Sequence, residues 1–447
     1  MKKKIVSALM VAAMVVTAFA GCGSDKGGTS TQGGDKTSKS SGKVYMLNFK
    51  PETDEAWQDL AETYTDQTGV EENVITAADG QYNTTLQSEM AKSDAPTIFN
   101  VGNSSAAQTW NDYTYDLKDS ELYKHLTDKS LVINSDDKVA AIANCYECYG
   151  LIYNKDILNK YFALDGAKAT SMDEIDNFDT LKAVADDMQA RKDELGIKGA
   201  FTSAGFDSSS DWRFKTHLAN LPLYYEFKDD NVTEQPATIK GTYLPNYKKI
   251  FDLYITDSTT DPTQLSAKTG DDANSEFALG EAAFYQNGTW AWTDLQKAGM
   301  KAESVGMMPI YTGVKGEEKQ GLATGSENYW CINDKASDAD KKATEDFLSW
   351  VITSDTGKKA ISQDMGFTTP FKTFDDVKFD NPLTEAAVED QKSGTTQVSW
   401  NFTMMPSEEW KNKVGQALLE YAQGTGKWDA VKTAFVDGWA SEYEASH

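Results

Sequence analysis

Five side chains of this 447-residue chain combine types that suit one kind of recognition: the indoles of Trp290 and Trp410, the carboxylates of Glu147 and Asp211, and the guanidinium of Arg213. A small ring bearing hydroxyls has apolar C–H faces and a polar rim. Indoles cover such faces, while carboxylates and guanidinium groups pair with the rim. Trp212, between Asp211 and Arg213, adds a further ring. Glu147 and Asp211 also admit a hydrolase, which needs two carboxylates about 5–10 Å apart across a glycosidic bond. Other catalytic signatures are missing: the chain has no Gly-x-Ser-x-Gly, no His-Glu-x-x-His and no phosphate loop. The three histidines, His125, His217 and His447, are scattered, and Cys145-Tyr146-Glu147-Cys148 is a lone CxxC. Neither a metal nor a cofactor is expected.

The elements that must position these groups are legible from apolar spacing. Residues 44–49 read as a strand and 55–68 as a helix, with Trp57, Leu60, Ala61 and Tyr64 on one face and Gly69 as its stop. A strand over 70–75, a helix over 82–92 and a strand over 97–101 follow. This alternation predicts a largely parallel α/β sheet with helices on both faces. It resumes with a strand over 149–153 and a helix over 178–195. Two α/β lobes facing a cleft is the economical architecture, because ligands of open α/β sheets bind beyond the carboxyl ends of strands. Asn48 and Lys50 stand at such an end. Trp292 alternates with Trp290 and is expected in the core if the segment is a strand, and Trp350 and Trp439 recur at helical spacing among apolar neighbours.

The N-terminus reads as a targeting segment. Lys2, Lys3 and Lys4 precede an apolar stretch over 5–20, too short for a stable span. Phe19-Ala20-Gly21-Cys22 resembles a bacterial lipobox, which implies lipidation of Cys22, and residues 23–42 are a Gly/Ser/Thr-rich tether. Acidic residues number 69 against 43 basic ones, so nucleic acid and anionic membrane surfaces are not expected partners.

Four stretches carry a family resemblance. Gly150-Leu151-Ile152-Tyr153-Asn154-Lys155-Asp156-Ile157-Leu158 resembles the "gliYNKdlf" element of family 1 extracellular solute-binding proteins of ABC sugar importers. Residues 277–292, with Asn287-Gly288-Thr289-Trp290, are similar to that family's Asn-Gly-x-Trp element, and Val305-Gly306-Met307-Met308-Pro309 to its "vG-x-x-P" strand. Residues 343–370 match its C-terminal helix and the following "G-x-x-P".

The resemblance implies a two-lobe, type II periplasmic-binding-protein-like fold that captures an oligosaccharide by hinge closure and delivers it to permease subunits. It is closest in places to maltodextrin-binding proteins. It implies a hinge role for Glu147, stacking for Trp290 and Trp410, and hydroxyl reading by Asp211-Trp212-Arg213-Phe214, where Arg213 replaces an aromatic residue. Asn103 falls in a ligand loop without the usual tryptophan, and Tyr329 lies near a late crossover. The implied lobes are 43–147 with 306–326, and 148–305 with 327–447, crossing near 145–150, 305–309 and 325–332. Cys148 and Cys331 would then lie on neighbouring crossovers, and a bridge between them is favoured over Cys145–Cys148, which would need a tight turn. The expected molecule is a lipid-anchored extracellular monomer without enzymatic activity. The competing readings are a surface lectin or adhesin without import, a glycoside hydrolase, and a receptor for a peptide or polyamine.

Overall fold

The β-α-β-α-β opening forms as the spacing predicts: β1 (Lys43–Asn48), a helix Asp54–Thr68, β2 (Glu71–Thr76), a helix Tyr82–Met90 and β3 (Ile98–Val101). The computed structural model describes residues 42–78, 80–202, 205–208, 210–326 and 328–446; the leader, Cys22 and nearly all of the tether lie outside them. Trp57, Leu60, Ala61 and Tyr64 bury the first helix against the sheet. Gly69 ends that helix at φ 74°, its N–H donating to the Thr65 carbonyl at 2.8 Å. Any side chain there would meet the left-handed penalty that glycine escapes.

Seven further strands precede the last two: β4 (Val132–Ser135), β5 (Lys138–Ala143), β6 (Glu147–Asn154), β7 (Gly199–Thr202), β8 (Ala282–Gly288), β9 (Val305–Met308) and β10 (Gln320–Gly325). They are followed by β11 (Tyr329–Ile332) and β12 (Thr396–Ser399). One sheet has the order β2-β1-β3-β11-β5-β4, the other β12-β10-β6-β8-β7 with β9 also on β6. Each sheet anchors one lobe. β1 pairs in parallel with β2 and β3, but β11 runs antiparallel to β3 and β5, and β6 antiparallel to β8, β9 and β10. Both sheets are therefore mixed rather than largely parallel, because strands entering from the other lobe return against their neighbours.

The segment assignment also differs from the expectation. β9 and β10, expected in the first lobe, both pair with β6 in the second. β11 and the helix Asp338–Thr353, expected in the second lobe, pack in the first, where Trp330, Phe347, Leu348 and Val351 share a core with Met46 and Ile98. A short apolar run such as Val305–Met308 fits a strand in either sheet, so its pattern does not choose. The chain crosses between β5 and β6, between β10 and β11, and again between Phe374, in the first lobe's core, and Leu383, in the second's. No crossing occurs at 305–309.

Two local readings change as well. The helix expected over 178–195 breaks at Arg191 into Phe178–Ala190 and Lys192–Leu195. β8 stops at Gly288, so Trp290 sits in the 3-10 turn Thr289–Ala291 and Trp292 begins a helix, Trp292–Lys297; Trp292 is buried all the same. Cys148, in the second sheet, and Cys331, in the first, are free thiols; no bridge joins them, because the crossovers that carry them enter different sheets. The Cys145 thiol donates to Glu147 Oε2 at 3.5 Å.

Candidate functional site

The turn after β1 is built by Asn48. Its amide donates to the Lys50 carbonyl at 2.8 Å and to Thr76 at 3.1 Å, and its Oδ1 accepts the Lys50 N–H at 3.1 Å. Asn48 thus spends its polar atoms on shaping the turn, and the turn aims Lys50 at the other lobe. Lys50 Nζ lies 2.9 Å from Glu147 Oε1, and the two side chains are 8% and 3% exposed. Burial lowers the ammonium's pKa, but the attraction of Glu147 and Glu52 outweighs it and holds Lys50 above its ordinary range. Burial pushes Glu147 up, and Lys50 offsets this only in part.

The same ammonium lies 5.4 Å from the ring centres of Trp290 and Phe367. Trp290 is placed by a close approach. Its ring folds back over Gly288, where an added Cβ would come within 2.0 Å of it. That contact is the physical content of the Asn-Gly-x-Trp spacing: only glycine leaves room for the indole.

Trp212 meets Trp290 at 5.9 Å, and Trp400, just beyond β12, meets it at 6.4 Å. All three indoles are partly exposed. Arg213 lies 4.5 Å from the Trp212 ring, and its guanidinium donates to the Tyr285 hydroxyl at 2.9 Å and to the Ser210 carbonyl at 3.3 Å. Beneath the indoles lies His217, in a π-helical turn over Arg213–Leu218. The structure thus gathers Lys50, Glu147, Trp212, Arg213 and Trp290, and adds Trp400, Phe402 and His217.

Other expected site residues lie elsewhere. Trp410 is fully buried; its N–H donates to the Phe435 carbonyl at 2.9 Å and its ring packs on Phe435 and Trp439. No face of it is open, so it is a core residue that clamps the helices Glu408–Ala422 and Trp428–Ser446. The aromatic residue of this region that reaches the group is Trp400. Asp211 pairs with Lys215 at 2.7 Å and abuts Gly415 of the helix Glu408–Ala422. Asn103 caps the helix Ser104–Thr109, accepting the Ala106 N–H at 2.7 Å. That helix approaches the turn Phe402–Met404 of the other lobe. Tyr329 is buried in the first lobe's core.

Trp400 could have been found from its place at the end of a strand, since Thr396–Ser399 ends there. His217 carries no such signal, because a histidine between Thr216 and Leu218 looks like any helix residue. Among the described residues no cluster of His, Cys, Asp or Glu could hold a metal. The arrangement can stack flat apolar faces on indoles while a buried ion pair and an arginine offer hydrogen bonds beside them.

The fold recurs in solved proteins. It is similar to a chitin oligosaccharide binding protein (17% identity, TM-score 0.70, covering 90% of this chain and 98% of that one). It is also similar to a solute-binding protein, RafE, solved with raffinose (18%, 0.68, 90% and 99%). A third is the GacH receptor of Streptomyces glaucescens, solved unliganded and with acarbose (16%, 0.68, 91% and 99%). No curated protein sequence matches the chain. A family model described as bacterial extracellular solute-binding protein matches residues 59–389, and on that match over most of its length the chain belongs to the bacterial extracellular solute-binding proteins.

Proposed function

We propose that this protein captures an oligosaccharide between its lobes and hands it to the permease subunits of an ABC importer. The observation that carries the reading is the grouping of Trp212 and Trp400 around Trp290 on one lobe, with Lys50 reaching from the other lobe to the Trp290 ring. Indoles offer the planar apolar surface that a sugar face needs, and the Lys50–Glu147 pair and Arg213 supply the charged hydrogen-bonding groups for its rim. The sugar ligands of the similarly folded receptors support the same class of ligand. Asp211, the second carboxylate of a hydrolase reading, is engaged with Lys215. Ligand contact with both lobes would favour a closed form by differential affinity.

The lipobox cysteine Cys22 and its tether support anchoring of a monomeric receptor on the extracellular face of the membrane. Cys22→Ser should release the protein into the medium, and unchanged membrane retention would sink the anchor. The function is tested by calorimetry of the wild-type protein against mono- to tetrasaccharides, including raffinose, stachyose, acarbose and chitotriose. Binding without cleavage supports the reading. Release of smaller sugars on chromatography would make the protein a hydrolase, and binding of peptides or polyamines alone would replace the ligand class.

A further inference from the structure

His217 is 2% exposed, and it is walled by five aromatic rings. Its centroid distances are 4.7 Å to Tyr149, 4.8 Å to Trp212, 4.9 Å to Phe402, 5.4 Å to Trp290 and 5.5 Å to Trp400. Neither imidazole nitrogen makes a well-formed hydrogen bond within the protein, although the Trp212 backbone lies close enough to favour the protonated ring, and the indole N–H of Trp400 has no partner. The nearest hydroxyl is already committed: Tyr149 donates to the carbonyl of His217 itself, at 2.5 Å. That bond fixes the residue in place without engaging its ring.

Packing alone does not account for a histidine here. Buried polar atoms are nearly always paired, and leaving them unpaired is costly. Where this lobe needs only ring-on-ring packing it uses phenylalanine, as in the group Phe206, Phe214 and Phe251. The backbone is unusual at the same point. Residues Arg213–Leu218 form a π-turn, a rare wide turn that is frequent at functional sites. Three of the five rings around His217 are the partly exposed indoles of the proposed sugar site.

We infer that His217, with the indole N–H of Trp400, is a specificity-determining contact for a ligand hydroxyl, reached between the stacking indoles. The inference rests on the sugar-binding reading. An imidazole with one protonated nitrogen offers one donor and one acceptor. A hydroxyl matches both, since it donates one hydrogen bond and accepts others. A purely apolar or fully methylated ligand matches neither. Burial pulls the imidazole well below its ordinary range; the Trp212 backbone opposes this in part, while Lys411, Lys50 and Arg213 reinforce it, and the net effect keeps the donor-and-acceptor form at neutral pH.

The test uses the sugar of the calorimetric panel that the wild-type protein binds. His217→Phe keeps a ring among rings and removes both nitrogens; it should fold and bind that sugar roughly 10- to 100-fold more weakly. Trp400→Phe should cost a smaller factor, and His217→Gln should recover part of the loss. With only three histidines in the chain, long-range 1H–15N spectra give an independent readout. The His217 nitrogen signals should shift when the sugar is added, and this needs no variant to fold. Affinity of folded His217→Phe within twofold of wild type, or unmoved His217 signals on saturation, overturns the inference while leaving the sugar reading intact. A wild-type protein that binds no sugar of the panel removes both.

Discussion

Lys50 Nζ and Glu147 Oε1, 2.9 Å apart, join the turn after β1 in one lobe to the first residue of β6 in the other. The pair stands where the chain first crosses between lobes, and almost no solvent reaches it. A buried ion pair gives little net stability compared with apolar residues, but removing one partner strands a charge, at about 3–5 kcal/mol. Lys50→Met and Glu147→Gln should therefore each destabilise the protein, and the double variant should recover most of the loss. Urea unfolding of the four proteins measures the coupling. Additive losses would mean that the two groups act separately.

Removing the Trp290 ring should weaken sugar binding by about 1–3 kcal/mol, the scale of one stacking platform for a flat ligand. Gly288→Ala is the sharper probe. Its Cβ would meet the indole at 2.0 Å and push the ring out of place without changing the ring itself. Calorimetry should show both variants impaired. A Gly288→Ala protein that binds like wild type would show that the folded-back indole is not the binding conformation.

Trp410→Ala should behave differently from Trp290→Ala. Trp410 is enclosed by Phe435 and Trp439 and its N–H is paired, so truncation leaves a cavity and an unpaired carbonyl. A loss of about 3–5 kcal/mol in stability is expected, with sugar affinity of the folded fraction unchanged. Thermal unfolding and calorimetry together separate the two tryptophans, and a selective loss of affinity in Trp410→Ala would return it to the site.

The contrast between these tryptophans shows what the sequence could and could not tell. The opening strands and helices were legible because Trp57, Leu60, Ala61 and Tyr64 repeat at helical spacing and Gly69 marks the stop. Trp290 was legible through its resemblance to the family's Asn-Gly-x-Trp element, and the structure supplies the reason for that spacing, since the ring folds back over Gly288. Trp410 misled because its place near the C-terminus resembles that of a stacking tryptophan in the family, whereas its helical neighbours Val414 and Leu418 mark it as core. The lobe assignment of β9, β10 and β11 was illegible, since short apolar strands carry no label for their sheet. The surroundings of His217 were hidden because four of its five neighbouring rings come from distant parts of the chain.

The thiols should be slow to react. Burial pushes Cys148 up to about 12 and raises Cys331 as well, so almost no thiolate forms at neutral pH. Alkylation by iodoacetamide at pH 8 should leave Cys148 and Cys331 unmodified until denaturant is added. Non-reducing peptide mapping should then recover both as labelled thiols, and a Cys148–Cys331 peptide would contradict their placement in separate sheets.

The pH dependence of stability isolates His217. Its folded-state pKa is depressed, so the unfolded chain binds the extra proton first. The stability it permits is complete above the ordinary histidine value of about 6.5 and is lost as pH falls below it, by roughly 1.4 kcal/mol per unit. Asp257, raised by burial to about 6, and Glu72, raised to about 9, slope the opposite way, because their folded forms hold the proton longer. The wild-type curve alone therefore mixes signs. Urea midpoints at pH 7.5 and 5.5, compared with those of His217→Phe, cancel the carboxylates. The wild type should lose stability relative to the variant on acidification, and parallel curves would mean that the imidazole accepts its proton without disturbing the aromatic walls around it.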